Sequence, residues 1–305
     1  MSSNVMAEAK LHRPQFSDAQ SLPGRMALES SRSPIRHPRA PPPPIASCGS
    51  PWAVKIYVLG RFRVFKGDAP LQFSRRIQRR TLDLLQALIA LGGTEVSAGA
   101  LIDALWPDSE GDAGYHALES ALYRLRQLLD ARHAVTMAGG KVSLERSHFW
   151  VDMWEFEKEL QSAARLGCNG GACVARLRQL YQGHFLQQEC DKPWALQTRQ
   201  VVRDKFARAI RVAAQTYESR RRWQEAADVY LTGIELDGLA EDLYRGLMVC
   251  YRALGNHTEA LQVYRRYREL LVGVLGVQPN AKTQAIYQTI KQDLVAEPAE
   301  REDCR

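Results

Sequence analysis

Five residue pairs, each separated by the same 34 positions, constrain this chain more than any other feature in it. They are Ile210 with Tyr244, Tyr217 with Tyr251, Trp223 with His257, Ala226 with Ala260 and Tyr230 with Tyr264. A fixed period of this length marks stacked units, none of which can bury its apolar face alone. Small alanines suit a close crossing of two helices, and aromatic residues one turn on fill the space beside it. The spacing therefore predicts paired, antiparallel helices between Ala207 and Val272. Asn256-His257-Thr258-Glu259 has the pattern of a helix cap, Gly276 and Pro279 interrupt the chain, and a terminal helix is expected over Thr283 to Val295.

The helical character reaches further upstream. Asp152-Met153-Trp154-Glu155 has capping-box spacing and predicts a helix to about Leu166. A second is expected from Ala172 to Tyr181, and Pro193 opens a long third one carrying Trp194, Val201, Phe206 and Ile210.

Before Trp150 the period changes. VKIYVLG, RFRVFKG and DAPLQF alternate apolar and polar residues around Gly60 and Gly67-Asp68, which predicts a small antiparallel meander. Ser74 to Leu91 then reads as a helix burying Leu82, Leu84, Leu85, Leu88 and Ile89, with Arg75, Arg76, Arg79 and Arg80 crowded into its first turns. Positive charge there opposes the macrodipole, so the cluster is either compensated nearby or kept for a phosphate. Ser97 is placed to cap a short helix, Ala98 to Trp106, and Asp108 to Gly114 form an acidic connection. The next helix, Tyr115 to Asp130, buries Leu118, Leu122, Leu125 and Leu129. Its opposite side carries His116, Ser120, Tyr123 and Gln127, edged by Glu119 and Arg126 on one flank and Arg124 on the other. Ala134 to Met137 and Lys141 to Leu144 around Gly139-Gly140 make a hairpin, or wing, with Lys141 at its turn. Meander, three helices and a hairpin compose a winged helix-turn-helix, expected to hold its own core and to end near Trp150.

Composition narrows the function classes. A net charge of +7 permits a polyanionic partner without demanding one. No apolar run is long enough for a membrane span and no leader pattern opens the chain, so a cytoplasmic location without a membrane partner is expected. Phosphate-loop, zinc-protease, nucleophile-elbow and dinucleotide motifs are missing, the seven histidines are scattered, and Cys168 with Cys173 form the only close cysteine pair. The expectation is a protein that is not an enzyme and needs no cofactor or metal.

At this point the residues resemble known modules. VLGRFRV, RRIQRRTLDLLQALIALGG, VSAGALIDALWPD and ALESALYRLRQLL look like the winged-helix domain of bacterial response regulators, in the variant found in antibiotic-pathway regulators. GHFL with Trp194 and Arg199, then ELDGLAEDLYRGLM, ALGNHTEALQVYRRYRELL and LGVQPNAKTQAIY, resemble the bacterial transcriptional activator domain over roughly Asp152 to Leu294. This chain departs from the family at Glu119 and Ser120, where a basic or threonine-bearing face is usual, at Gly139-Gly140 in the wing, and at Gly238, where proline is usual.

The resemblance implies an α+β winged helix-turn-helix followed by an all-α tetratricopeptide-like helical repeat domain. The expected organisation is a disordered extension over 1–53, a DNA-binding domain over 54–149, the activator domain over 150–296 and a tail over 297–305. It also implies that the helix containing Tyr123 enters the major groove of double-stranded DNA, and that Leu105 and Trp106 pack in the core. The acidic connection, with Asp108, Glu110 and Asp112, would face RNA polymerase. The repeats would support self-association as a homodimer, and operators would be direct repeats. Two other functions fit the residues: an interaction adaptor whose winged helix no longer binds DNA, and a ligand or peptide sensor acting through the repeat groove.

Overall fold

The computed structural model describes residues 52–73, 79–110, 112–166, 171–189 and 191–302. The extension up to residue 51, together with Arg75, Arg76 and Cys168, lies outside the described residues.

The first half contains two small sheets and three helices. Strand β1 (Val54–Tyr57) pairs antiparallel with β2 (Arg63–Lys66), which pairs with β3 (Ala69–Pro70), so the expected meander is present. Helix α1 (Arg79–Ala90) follows, then the short β4 (Val96–Ser97), α2 (Ala98–Leu105), α3 (Asp112–Leu129) and the hairpin of β5 (Val135–Ala138) with β6 (Lys141–Leu144). Strand β4 adds to the hairpin, giving the order β4-β6-β5. A further strand, β7 (Phe149–Val151), lies parallel to β1 in the first sheet, with Val54 opposite Phe149 and Ile56 opposite Val151. Neither addition was visible in the sequence, because each strand has only two or three residues and takes its partner from far along the chain.

Helices α4 (Asp152–Leu166), α5 (Gly171–Leu180), α6 (Pro193–Glu218), α7 (Trp223–Leu236), α8 (Glu241–Ala253), α9 (His257–Leu275) and α10 (Ala281–Glu302) make the second half. From α6 on, each helix packs on the next, and α8 also touches α6 and α10. The 34-residue pairs occupy matching places: Trp223 and His257 open α7 and α9, and Ala226 and Ala260 are both fully buried three residues later. Gly246 of α8 lies under the ring of Tyr230, where any side chain would collide. Tyr244 stacks on Tyr267 and Tyr264 on Tyr287, with centroids 4.3 and 4.2 Å apart.

Three expected caps differ. Ser97 and Asn256 make no side-chain cap hydrogen bond, whereas Asn280 accepts one from the Thr283 N–H at 3.0 Å and caps α10. The carboxylate of Asp152 turns away from a capping box. It accepts from the backbone N–H groups of Val58 (2.9 Å) and Leu59 (2.9 Å), beyond β1, and from that of Met153 (2.8 Å).

That carboxylate marks a seam along which the winged-helix half and the helical half share buried side chains. Buried side chains form one cluster from Val54 to Cys250, crossing the boundary expected at Trp150, which falls inside β7. Leu59 bridges to Phe185, the Gly60 N–H donates to the His184 carbonyl at 3.0 Å, and that of Leu186 donates to the Val58 carbonyl at 2.8 Å. Gly60, at φ +108°, brings its Cα against the Gln182 to Gly183 backbone, where a Cβ would meet atoms at 3.3 Å. Arg199 holds the same segment by donating to the carbonyls of Phe185, Leu186 and Glu189. The GHFL stretch and Arg199 are thus seam residues.

Helix α1 is clamped on two sides. Its leucines pack on α2 and α3, while its polar Asp83 and Gln86 are buried against Lys192, whose ammonium lies 2.6 Å from Asp83, 2.7 Å from Gln86 and 2.9 Å from Glu189. Thr198 of α6 donates to the Ala90 carbonyl at the end of α1. Among the described residues no helix is long and apolar enough to cross a membrane. Nor does any group of three or more His, Cys, Asp or Glu stand ready for a metal ion there.

Candidate nucleic-acid interface

Helix α3 presents the face that its period predicts. Leu118, Ala121, Leu122, Leu125 and Leu129 are buried, and Gly114 lets the first turn press on α2, since a Cβ there would meet Ile102 at 2.6 Å. Once the leucines are committed to the core, His116, Glu119, Ser120, Tyr123, Arg124 and Gln127 must point outward, and all six are exposed. Tyr123 projects furthest as an aromatic group, with 63% of its surface accessible.

The ridge lies between two grooves, and helical geometry sorts the side chains between them. Toward α2 a groove of about 360 Å³ is lined by Arg80, Trp106, His116, Ala117, Ser120, Ala121 and Arg124. Toward the wing a groove of about 500 Å³ is lined by Glu119, Leu122, Arg126, Met137, Ala138, Gly139 and Gly140. Serine, imidazole and two guanidinium groups therefore share one flank, and the lone carboxylate takes the other.

Local structure uses part of the expected set. Arg126 is half-buried, and its Nε donates to the Val135 carbonyl at 2.8 Å, tying α3 to the wing. Arg80 donates to the Leu105 carbonyl at 2.9 Å, where the C-terminal end of α2 welcomes a cation. Arg79 lies 3.4 Å from Asp191 and is mostly exposed. The two described arginines of the cluster are thus compensated nearby, which explains their tolerance at the start of a helix. Lys141 at the wing turn is exposed and 3.4 Å from Glu95. Asp130 closes α3 at φ +50°, and the hydrogen bond from Lys66 holds its carboxyl below the usual range.

The acidic connection is shorter than expected. Helix α3 begins at Asp112, so Asp108 and Glu110 stand exposed between the helices while Asp112 occupies a first turn that favours negative charge. The expected loop to Gly114 overran because Asp-Ala-Gly is a poor helix signal by itself. Tertiary packing of Gly114 decides its conformation. Trp106 and Met137, which sequence reasoning left out of the site, line the two grooves; their place at the ends of α2 and β5 was the available signal.

Comparison with known proteins supplies the context. Residues 151–291 match the family described as the bacterial transcriptional activator domain. The regulatory protein AfsR of Streptomyces coelicolor is 29% identical over 253 residues, which is 81% of this chain and 25% of that protein. Its namesake from Streptomyces griseus is 27% identical over 81% of this chain and 26% of its own length. The chain thus spans about a quarter of these relatives. The solved structure of Mycobacterium tuberculosis EmbR in complex with a low affinity phosphopeptide has a similar fold, with a TM-score of 0.59 at 19% identity, covering 79% of this chain and 65% of EmbR. The chain therefore carries a match to the bacterial transcriptional activator domain in its second half and is similar along most of its length to two bacterial regulatory proteins.

Proposed function

We infer that this regulator works by binding double-stranded DNA in a sequence-specific way and activating transcription. The observation carrying the inference is the α3 ridge: hydroxyl, amide, imidazole and guanidinium groups exposed in a row on a helix whose leucines fix its orientation. Such a ridge fits a major groove, with the wing beside it and the arginine flank near the backbone. The function lies in binding, in the cytoplasm, without cofactor.

The division of labour we propose follows the boundaries 54–149 for DNA binding and 150–296 for the activator domain. The helix pairs α6–α7 and α8–α9 act as tetratricopeptide-like repeats supporting self-association. Two copies bound in the same orientation would read direct repeats about one helical turn, 10 to 11 base pairs, apart. Asp108 and Glu110, exposed beside the ridge, are the proposed contact with RNA polymerase; Asp112 contributes to the same acidic surface from the first turn of α3.

Selection of bound sequences from random duplex DNA tests the central claim. Binding should weaken steeply with salt, and Arg124→Ala should flatten the log–log slope by about one unit while leaving the preferred sequence alone. Tyr123→Ala or Gln127→Ala should cost roughly 1 to 3 kcal/mol on the preferred site and relax it. A chain that enriches no sequence is instead an adaptor, and the exposed Glu119 is the feature that favours that second reading.

A further inference from the structure

We propose that Glu119 is a specificity-determining residue that selects a cytosine on the wing side of each half-site. The inference rests on the DNA-binding reading and adds a base to it.

Glu119 is the only acidic residue of α3 after its first turn, and it stands on the outward ridge with 65% of its side chain exposed. The His116 ring lies 3.8 Å from its carboxylate through Nδ1, a separation too long for a strong hydrogen bond. It lines the wing-side groove, across the ridge from Arg80 and Arg124. Arg126 lines the same groove, anchored through Nε to the Val135 carbonyl.

A carboxylate carried into a major groove only accepts hydrogen bonds. Guanine offers O6 and N7 and thymine offers O4, all acceptors that repel it; the donors are the amino groups of cytosine N4 and adenine N6. Beside N6, adenine presents the acceptor N7, which opposes the second carboxylate oxygen. Cytosine has only its C5–H edge next to N4. Left without a donor, the desolvated carboxylate would weaken binding, so every non-cytosine base is penalised. Its position on the wing flank puts this base at the edge of the half-site away from the Arg80 and Arg124 side.

The test is selection from random duplex DNA with the full chain as wild type, E119A and E119Q, followed by affinities on the selected site with each base in turn. Wild type should enrich one cytosine whose replacement weakens binding about tenfold. E119A should lose preference at that position alone, and E119Q should shift it toward adenine, whose N6 and N7 match an amide. Replacing that cytosine by a pyrimidin-2-one nucleotide, which lacks the amino group, should affect wild type but not E119A. If E119A enriches the same cytosine as strongly as wild type, the assignment is overturned while the DNA reading stands. If wild type enriches nothing, the DNA reading falls and the assignment with it.

Discussion

Asp152→Ala should cost about 3 to 5 kcal/mol of folding stability, because its carboxylate holds the two halves together from a position only 1% exposed. Three backbone N–H groups point at it, from Val58, Leu59 and Met153 at 2.8 to 3.0 Å, and Val58 and Leu59 are themselves buried. Each buried donor left without an acceptor costs roughly 1 to 3 kcal/mol. Part of that is offset, since alanine removes the desolvation of the carboxyl itself. Against a total of about 5 to 15 kcal/mol, such a loss takes a large share of the stability of the fold. Urea unfolding at pH 5, below the raised titration range of the Asp152 carboxyl, followed by far-ultraviolet circular dichroism and tryptophan fluorescence, measures it; Trp150 and Trp154 flank the site. Wild type should unfold with both signals together, because the core is continuous across the seam. A variant within about 1 kcal/mol of wild type would falsify the claim that this carboxylate satisfies the seam.

Other outcomes follow from the same packing. Burial pushes the Asp152 carboxyl up to about 7, against the pull of the backbone N–H groups of Leu59, Val58 and Met153. The folded chain therefore binds a proton that the unfolded chain has lost above about pH 4, so the contribution of Asp152 to stability should fall as pH rises from about 4 to 7 and then level off. Subtracting the pH profile of Asp152→Asn from that of wild type isolates this slope, and a flat difference would contradict it. Lys192→Met leaves Asp83 and Gln86 buried against a thioether and should lose about 3 to 5 kcal/mol by chemical denaturation. Gly246→Ala drives a methyl group into the ring of Tyr230 and should lose about 1 to 3 kcal/mol; an unchanged unfolding midpoint would show that α8 can move away. Replacing Asp108 and Glu110 with alanine should lower activation in a purified transcription assay and leave DNA affinity unchanged, and undiminished activation would remove the loop from the polymerase contact.

Local periodicity carried much of the architecture. The leucine stripe of α3 fixed which side chains face outward, because a helix repeats every 3.6 residues wherever it sits. The same wheel placed Glu119 and Arg126 on one flank and Arg124 on the other, which is how the two grooves divide them. The 34-residue spacing placed equivalent residues at equivalent turns of α6 to α9, since each such contact lies within one helix pair or its neighbour. What remained hidden depends on pairings across long stretches of chain. Strand β7 is only Phe149–Val151, too short to announce itself, and becomes a strand because β1 lies parallel to it. Asp152 has the spacing of a helix cap, yet its oxygens go to Val58 and Leu59, 94 and 93 residues away. Arg80 and Arg126 look like free cations in sequence, and only the placement of the Leu105 and Val135 carbonyls decides that both are engaged. A sequence declares what each segment must bury through its own period. Which buried polar group meets which backbone atom is decided when the segments close on one another, because hydrogen bonds are directional and short while the periodic pattern records only distance from water.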